Sequence, residues 1–179
     1  MLPILYALLC TLSAASIKAD QCAVVEPRYW IFEGLLIGGQ KTWYAHEQYG
    51  AATIISTKCY SIGLYLQDYS LIHNAFDAPY RYYDGSNKKH SVRILSYIVG
   101  NKAKYYMIVN NKEVTLTLLA LNWHWIAFYG CQDGKGAVII MTTEKTRNER
   151  LIAEATKAAR KVVRLPLHSK DMHCNSTDL

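Results

Sequence analysis

Gly38-Gly39-Gln40-Lys41-Thr42-Trp43-Tyr44 is the stretch on which the fold turns. Two glycines break the chain, since residues without a Cβ accept the backbone angles of a turn at little cost. A short polar link follows, then an aromatic pair of the kind that suits a pleated, half-buried surface. From there to Thr143 the chain reads as short strands separated by turn residues. Trp43 is therefore expected to plug the closed end of a β-barrel, a structural role.

Downstream, Trp43 to Ile55 can be extended, and Cys59 to Gln67 alternates. Tyr60, Ile62, Leu64 and Leu66 fall on one face, and Cys59, Ser61, Gly63 and Tyr65 on the other. Leu71 to Phe76 is a weaker strand, with Pro79 and Asp84-Gly85-Ser86-Asn87 separating it from Ser91 to Val99. Gly100-Asn101 turns into Ala103 to Val109, and Asn110-Asn111 turns into Glu113 to Leu121. His124 to Cys131, the turn Asp133-Gly134-Lys135-Gly136 and Ala137 to Thr143 complete the series. About eight strands with short connections and no intervening helix predict an all-β, eight-stranded antiparallel up-and-down barrel.

The period changes at Thr146. Thr146-Arg147-Asn148-Glu149 fits a capping box, after which Leu151, Ala155, Ala159 and Val162 recur at helical spacing. Pro166 is expected to end this helix. Its narrow apolar stripe predicts one C-terminal helix packed outside the barrel.

At 179 residues, 51% hydrophobic and 19% charged, the chain is sized and composed as one globular domain. Its 14 tyrosines and 4 tryptophans favour strands and flat-ringed linings. Residues 1–19 carry the apolar run Ile4 to Leu12 followed by small residues, the pattern of a secretory signal peptide. The alternative is a buried N-terminal helix. The domain proper is then 20–179, and an extracellular location follows.

Cys10 falls in the leader, leaving Cys22, Cys59, Cys131 and Cys174. An even count in a secreted chain implies two disulfides, with three possible connectivities. The formal charge of +6 would suit nucleic acid in the cytosol, but in an exported chain it points to acidic surfaces or anionic ligands. No nucleic-acid partner and no membrane span is expected; oligomeric state is left open. Asn175-Ser176-Thr177 is a glycosylation sequon near the end of the chain.

Leader, Trp43 on a first strand, eight strands, one terminal helix and four cysteines together resemble the lipocalins, over the whole mature chain. The similarity is to insect members: apolipoprotein D-like bilin binders, cockroach amine-binding allergens and the triabin and nitrophorin salivary group. In those relatives the first cysteine pairs with the third and the second with the fourth, which implies Cys22 with Cys131 and Cys59 with Cys174. The family's Gly-x-Trp is altered here, with Lys41 two before Trp43. Its Thr-Asp-Tyr is matched at best by Leu121-Asn122-Trp123. The arginine that stacks on the tryptophan has only Lys145 and Arg147 as candidates.

Such a barrel lines a cavity with one face of each strand. With Cys59 and Cys131 as outward markers, the expected lining is Tyr60, Ile62, Leu64, Ile126 and Phe128, joined from strands without such a marker by Tyr105, Met107, Leu116, Leu118, Ile139 and Met141; the alternative is that these residues simply fill a core. The function implied is a secreted carrier of a small hydrophobic or aromatic molecule: a bilin pigment, a lipid or a biogenic amine. An interaction protein that inhibits a protein partner, as in salivary members, is the alternative. His73 is a candidate haem ligand, and Glu47, Asp68 and Asp77 are candidate rim carboxylates for an amine. No cofactor is required apart from a bound bilin or haem, and no resident metal is expected. The chain carries no Gly-x-Ser-x-Gly, no phosphate-cradling loop and no spare thiol, so it is not expected to be an enzyme.

Overall fold

The computed structural model describes residues 22–27, 29, 41–50, 52, 54–56, 58–83, 86–100 and 102–174. The expected leader, Gly38-Gly39 and the sequon at Asn175 lie outside them. The strands are β1 (Lys41–Gly50), β2 (Ser61–Leu64), β3 (Tyr69–Ser70), β4 (Ala75–Tyr83), β5 (Lys89–Ile98), β6 (Lys104–Val109), β7 (Lys112–Leu121), β8 (Trp125–Gln132) and β9 (Lys135–Thr142). Helix α1 (Glu149–Arg160) and the short strand β10 (Lys170–Asp171) follow.

All pairings are antiparallel, in the order β1-β2-β4-β5-β6-β7-β8-β9, and β9 returns to β1. Eight strands thus close a barrel, with β3 added on β4 and β10 laid on the outside edge of β1. Closure leaves no open edge to template aggregation. Two hairpins owe their tightness to residues that tolerate positive φ: Asn110 and Asn111 at 52° and 59°, and Asp133 and Gly134 at 52° and 74°.

The strands depart from the expected pattern at three places. Leu71–Asn74 is a turn, and Pro79 lies inside β4, opposite Arg93. The β2 ladder stops at Tyr80, the next residue, so a proline without an N–H is tolerated where that ladder ends. The extended reading of Cys59 to Gln67 also shortens: β2 ends at Leu64 and a 3₁₀ turn spans Leu66–Asp68.

At the helix, Asn148 and not Thr146 is the cap, its side-chain oxygen accepting from the Leu151 amide at 3.3 Å. Asparagine is the stronger cap, and Glu149 is taken by Arg147 rather than folding back. The helix ends at Arg160 with Lys161 as C-cap, well before Pro166. Leu151, Ile152, Ala155, Thr156 and Ala159 are buried, and α1 packs on the outer faces of β7, β8 and β9. Each large aliphatic side chain buried there contributes about 1.5–3 kcal/mol.

Two cores result. The inner one fills the barrel around Trp43, Phe76, Tyr80, Met107 and Phe128. The outer one lies between α1 and the barrel wall around Leu119, Ala127, Val138, Ile140 and Leu151. Disulfides join Cys22 to Cys131 and Cys59 to Cys174, over 109 and 115 residues. The second anchors the tail that carries β10.

Candidate functional site: the barrel interior

Alternation along each strand puts one residue in two inside. The inward residues close on a small cavity walled by Trp43, Ile62, Leu64, Phe76, Tyr80, Ser96, Tyr105, Met107, Leu116, Phe128 and Met141. Seven of the residues read from sequence stand on this wall: Ile62, Leu64, Tyr105, Met107, Leu116, Phe128 and Met141. The other four, Tyr60, Leu118, Ile126 and Ile139, are buried in the same inner core but off the wall. The additions are Trp43, Phe76, Tyr80 and Ser96. Tyr80 was missed because Pro79 read as a strand terminator, and Ser96 because a polar residue leaves no mark in an apolar alternation.

The centre of the barrel is apolar with a tyrosine-rich polar spot. The Tyr80 hydroxyl lies 3.2 Å from Ser96 Oγ and 3.3 Å from Met107 Sδ. Burial pushes the Tyr80 phenol up to about 12. Burial, and then the neighbouring Tyr80, raises Tyr60 and Tyr105 as well. All three phenols therefore remain protonated at neutral pH, available as donors. The Tyr60 hydroxyl is buried and has no hydrogen-bond partner among the described residues, which leaves a desolvated donor costing about 1–3 kcal/mol.

The end of the barrel remote from Trp43 is stopped by the chain between β1 and β2. Ile54 is fully buried and Ile55 almost so, both in the inner core. Ile54 rests on Gly130, where an added Cβ would lie 3.0 Å from Ile54 Cγ1. Ile55 holds φ at 68°, a left-handed conformation that is costly for a β-branched residue. Ser56 Oγ donates to the Tyr83 carbonyl at 2.6 Å, and Gln48 Nε2 donates to the Ala52 carbonyl.

At the other end Trp43 is completely buried. The cation beside it is Lys41, whose Nζ lies 5.9 Å from the Trp43 ring and 4.9 Å from the Trp123 ring. Lys41 also donates to the Trp123 carbonyl at 2.6 Å. Lys145 and Arg147 were the sequence candidates for that place. Arg147 instead binds Glu47, Glu149 and Asp171 outside the barrel. The lysine that spoils the Gly-x-Trp pattern thus itself supplies a cation near the indole.

The polar candidates read from sequence lie elsewhere. His73 sits in the exposed turn before β4, at the Trp43 end, its amide donating to Ser70 Oγ at 3.3 Å; it is not on the cavity wall. Glu47 faces Arg147, and Asp68 and Asp77 both pair with Arg93 on the outer surface. Among the described residues no carboxylate stands on the cavity wall.

No protein-family model matches the sequence, and no curated protein matches it. Solved structures do match in shape. Lobster apocrustacyanin A1 superposes with a TM-score of 0.66 at 11% identity, over 89% of this chain and 92% of that one. The amine binding protein of Rhodnius prolixus, solved with tryptamine, gives 0.62 at 10% identity over 86% of each chain. H1 crustacyanin of the lobster Homarus americanus gives 0.59 at 12% identity, over 87% and 92%. At these identities the likeness is one of fold, and that fold is the lipocalin barrel with its external helix. Among the described residues no helix is long and apolar enough to cross a membrane.

Proposed function

We propose that this chain is a secreted, non-enzymatic binding protein that carries a small, largely apolar molecule in the centre of its barrel. The observation that carries the reading is the Tyr60 hydroxyl. A desolvated, unpartnered donor in the same inner core as the apolar cavity, though off its wall, is expensive, and a ligand acceptor that reached it would remove that cost. The two disulfides support an oxidising, extracellular setting. The tryptamine complex of the structurally similar amine binding protein supports a ligand of that size.

Size narrows the cargo. The cavity is only about 20 Å³ in volume, against roughly 10–15 Å³ for a single water and 300–1,000 Å³ for drug-sized sites. A compact aromatic molecule needs Met107 and the Ile54–Ile55 plug to shift, whereas a bilin, a haem or a long lipid needs most of the core to move. The small aromatic class is therefore the favoured one of those the sequence left open. The same filled interior is the observation behind a second reading, an interaction protein for which the barrel is only a scaffold.

Native mass spectrometry of the protein from its source, with quenching of tryptophan fluorescence by indole, tryptamine, oleate, biliverdin and haem, separates these. A retained small mass and saturable quenching by the indoles support the carrier. No retained mass and no quenching by any of the five leaves the scaffold reading.

A further inference from the structure

From Ala155 to Lys170 the chain has five basic residues, Lys157, Arg160, Lys161, Arg164 and Lys170, and no acidic one. The other 15 bases of the protein face 14 acids, so this one segment carries nearly the whole net charge. All five side chains are exposed, as is His168. Lys157, Arg160, Lys161 and Arg164 follow the i, i+3, i+4, i+7 spacing of one helical face, the last two just beyond the end of α1. Lys157, Arg160, Lys161 and Lys170 make no ion pair among the described residues. Lys157 and Arg160 also border a groove of about 360 Å³ between α1 and β1. The acids on that groove, Glu47 and Glu149, are both held by Arg147.

We propose that this basic face binds a sulfated polysaccharide chain. Concentrated like charge on one face of an otherwise balanced molecule attracts a linear polyanion and orients the protein on it. Arginines add bidentate contacts to sulfate oxygens. A membrane is the poorer fit, because the apolar stripe of α1 is already packed on the barrel and Leu167 is the one large, highly exposed apolar side chain in the segment. Single-stranded nucleic acid is also a poorer fit, because the segment holds no Phe, Tyr or Trp ring for a base to stack on. The disulfides add that the chain belongs in an oxidising compartment, where sulfated glycans are displayed. The inference stands independently of what fills the barrel.

The test compares the full chain with two triple variants of equal net charge: Lys157→Gln, Arg160→Gln, Lys161→Gln on the face, and Arg81→Gln, Lys88→Gln, Lys89→Gln on the far side of the barrel, along β4 and β5. Binding to heparin, to fully desulfated heparin, to phosphatidylserine vesicles and to single-stranded DNA is measured against salt concentration, with a thermal melt of each variant. The expected result is salt-sensitive binding to heparin that falls at least tenfold in the face variant and less than twofold in the far-side variant, with unchanged melts. Binding to the desulfated chain, the vesicles and the DNA is expected to be at least tenfold weaker. Equal losses in the two variants would overturn the proposal, since net charge alone would then explain the binding. So would vesicle or DNA binding as tight as heparin binding and lost in the same face variant.

Discussion

His46 occupies the bulge of β1, where the register with β9 slips between Ala45 and Glu47. Its ring is buried on the outer side of the wall, with Nε2 2.9 Å from the Glu144 carbonyl and Nδ1 unpartnered. Burial first, and the charge of Arg147 after the opposing Glu144 hydrogen bond, holds its pKa below the usual 6.5; Asp171 and Glu144 pull the other way. Above pH 6.5 neither folded nor unfolded imidazole is protonated, and the full stability is present. As pH falls below that value the unfolded chain takes the proton first, so stability declines by up to about 1.4 kcal/mol per pH unit until the folded value is passed. Urea midpoints measured from pH 8 to 5 will fall in the native protein, and the fall will be smaller in His46→Gln. Arg147 is the second residue of consequence here. Arg147→Met leaves the nearly buried Glu47 carboxylate without its guanidinium, and a loss of about 1–3 kcal/mol is expected in the same assay.

The segment between β1 and β2 behaves as a stopper because of what it sits on. Gly130 in β8 leaves room for Ile54, and a methyl group there meets three Ile54 side-chain atoms at 3.0–3.2 Å. Gly130→Ala is expected to lift the stopper at a cost of about 1–3 kcal/mol. It should also increase binding of an apolar fluorescent probe; a variant with lowered melting temperature and unchanged probe binding would show that Ile54 re-seats. The two disulfides differ in exposure. Cys59 and Cys174 are 1% and 4% exposed, whereas Cys22 is open to solvent and Cys131 half-buried. Under mild reductant, alkylation followed by peptide mapping should label Cys22 and Cys131 first, since thiolate attack requires access. Replacing both by serine is expected to cost about 2–5 kcal/mol, the usual scale for closing a loop this long.

At the scale of the whole molecule, the barrel is a packed core with a small flaw rather than an open vessel. Tyr105, Phe76 and Phe128 interlock at its centre, with ring centroids 6.5 and 6.1 Å apart. Phe128→Ala should therefore cost about 3–5 kcal/mol and leave an apolar void. Such a void can stay dry and take up a small arene, so benzene or indole should raise the melting temperature of this variant more than that of the native protein. Both cores hang on the same wall, since β7, β8 and β9 present one face to the cavity and the other to α1. A charge on either face is thus costly, and ion pairs of the barrel stand at a hairpin end, on the outer surface of β4 and β5, and around Arg147.

Local pattern determined the elements. The Asn-Asn and Asp-Gly turns mark two hairpins through their tolerance of positive φ, the two-residue alternation of Tyr60, Ile62 and Leu64 marks the inner face, and a change of period marks α1. The cysteine pairing was legible only through likeness to a family. Tertiary structure alone decided the rest. Pro79 sits in a strand because the β2 ladder ends beside it, and Lys41 takes the place beside Trp43 because the β7–β8 loop brings Trp123 over it. β10 exists because a disulfide carries two residues to the edge of β1. Tyr80 and Ser96 meet because β4 and β5 pair across the inner wall. Ile54 seats on Gly130, 76 residues away in the chain, only once β1 and β8 stand in the same barrel. Contacts of that kind leave no period in a sequence, since they join residues that are neighbours only once the barrel has closed.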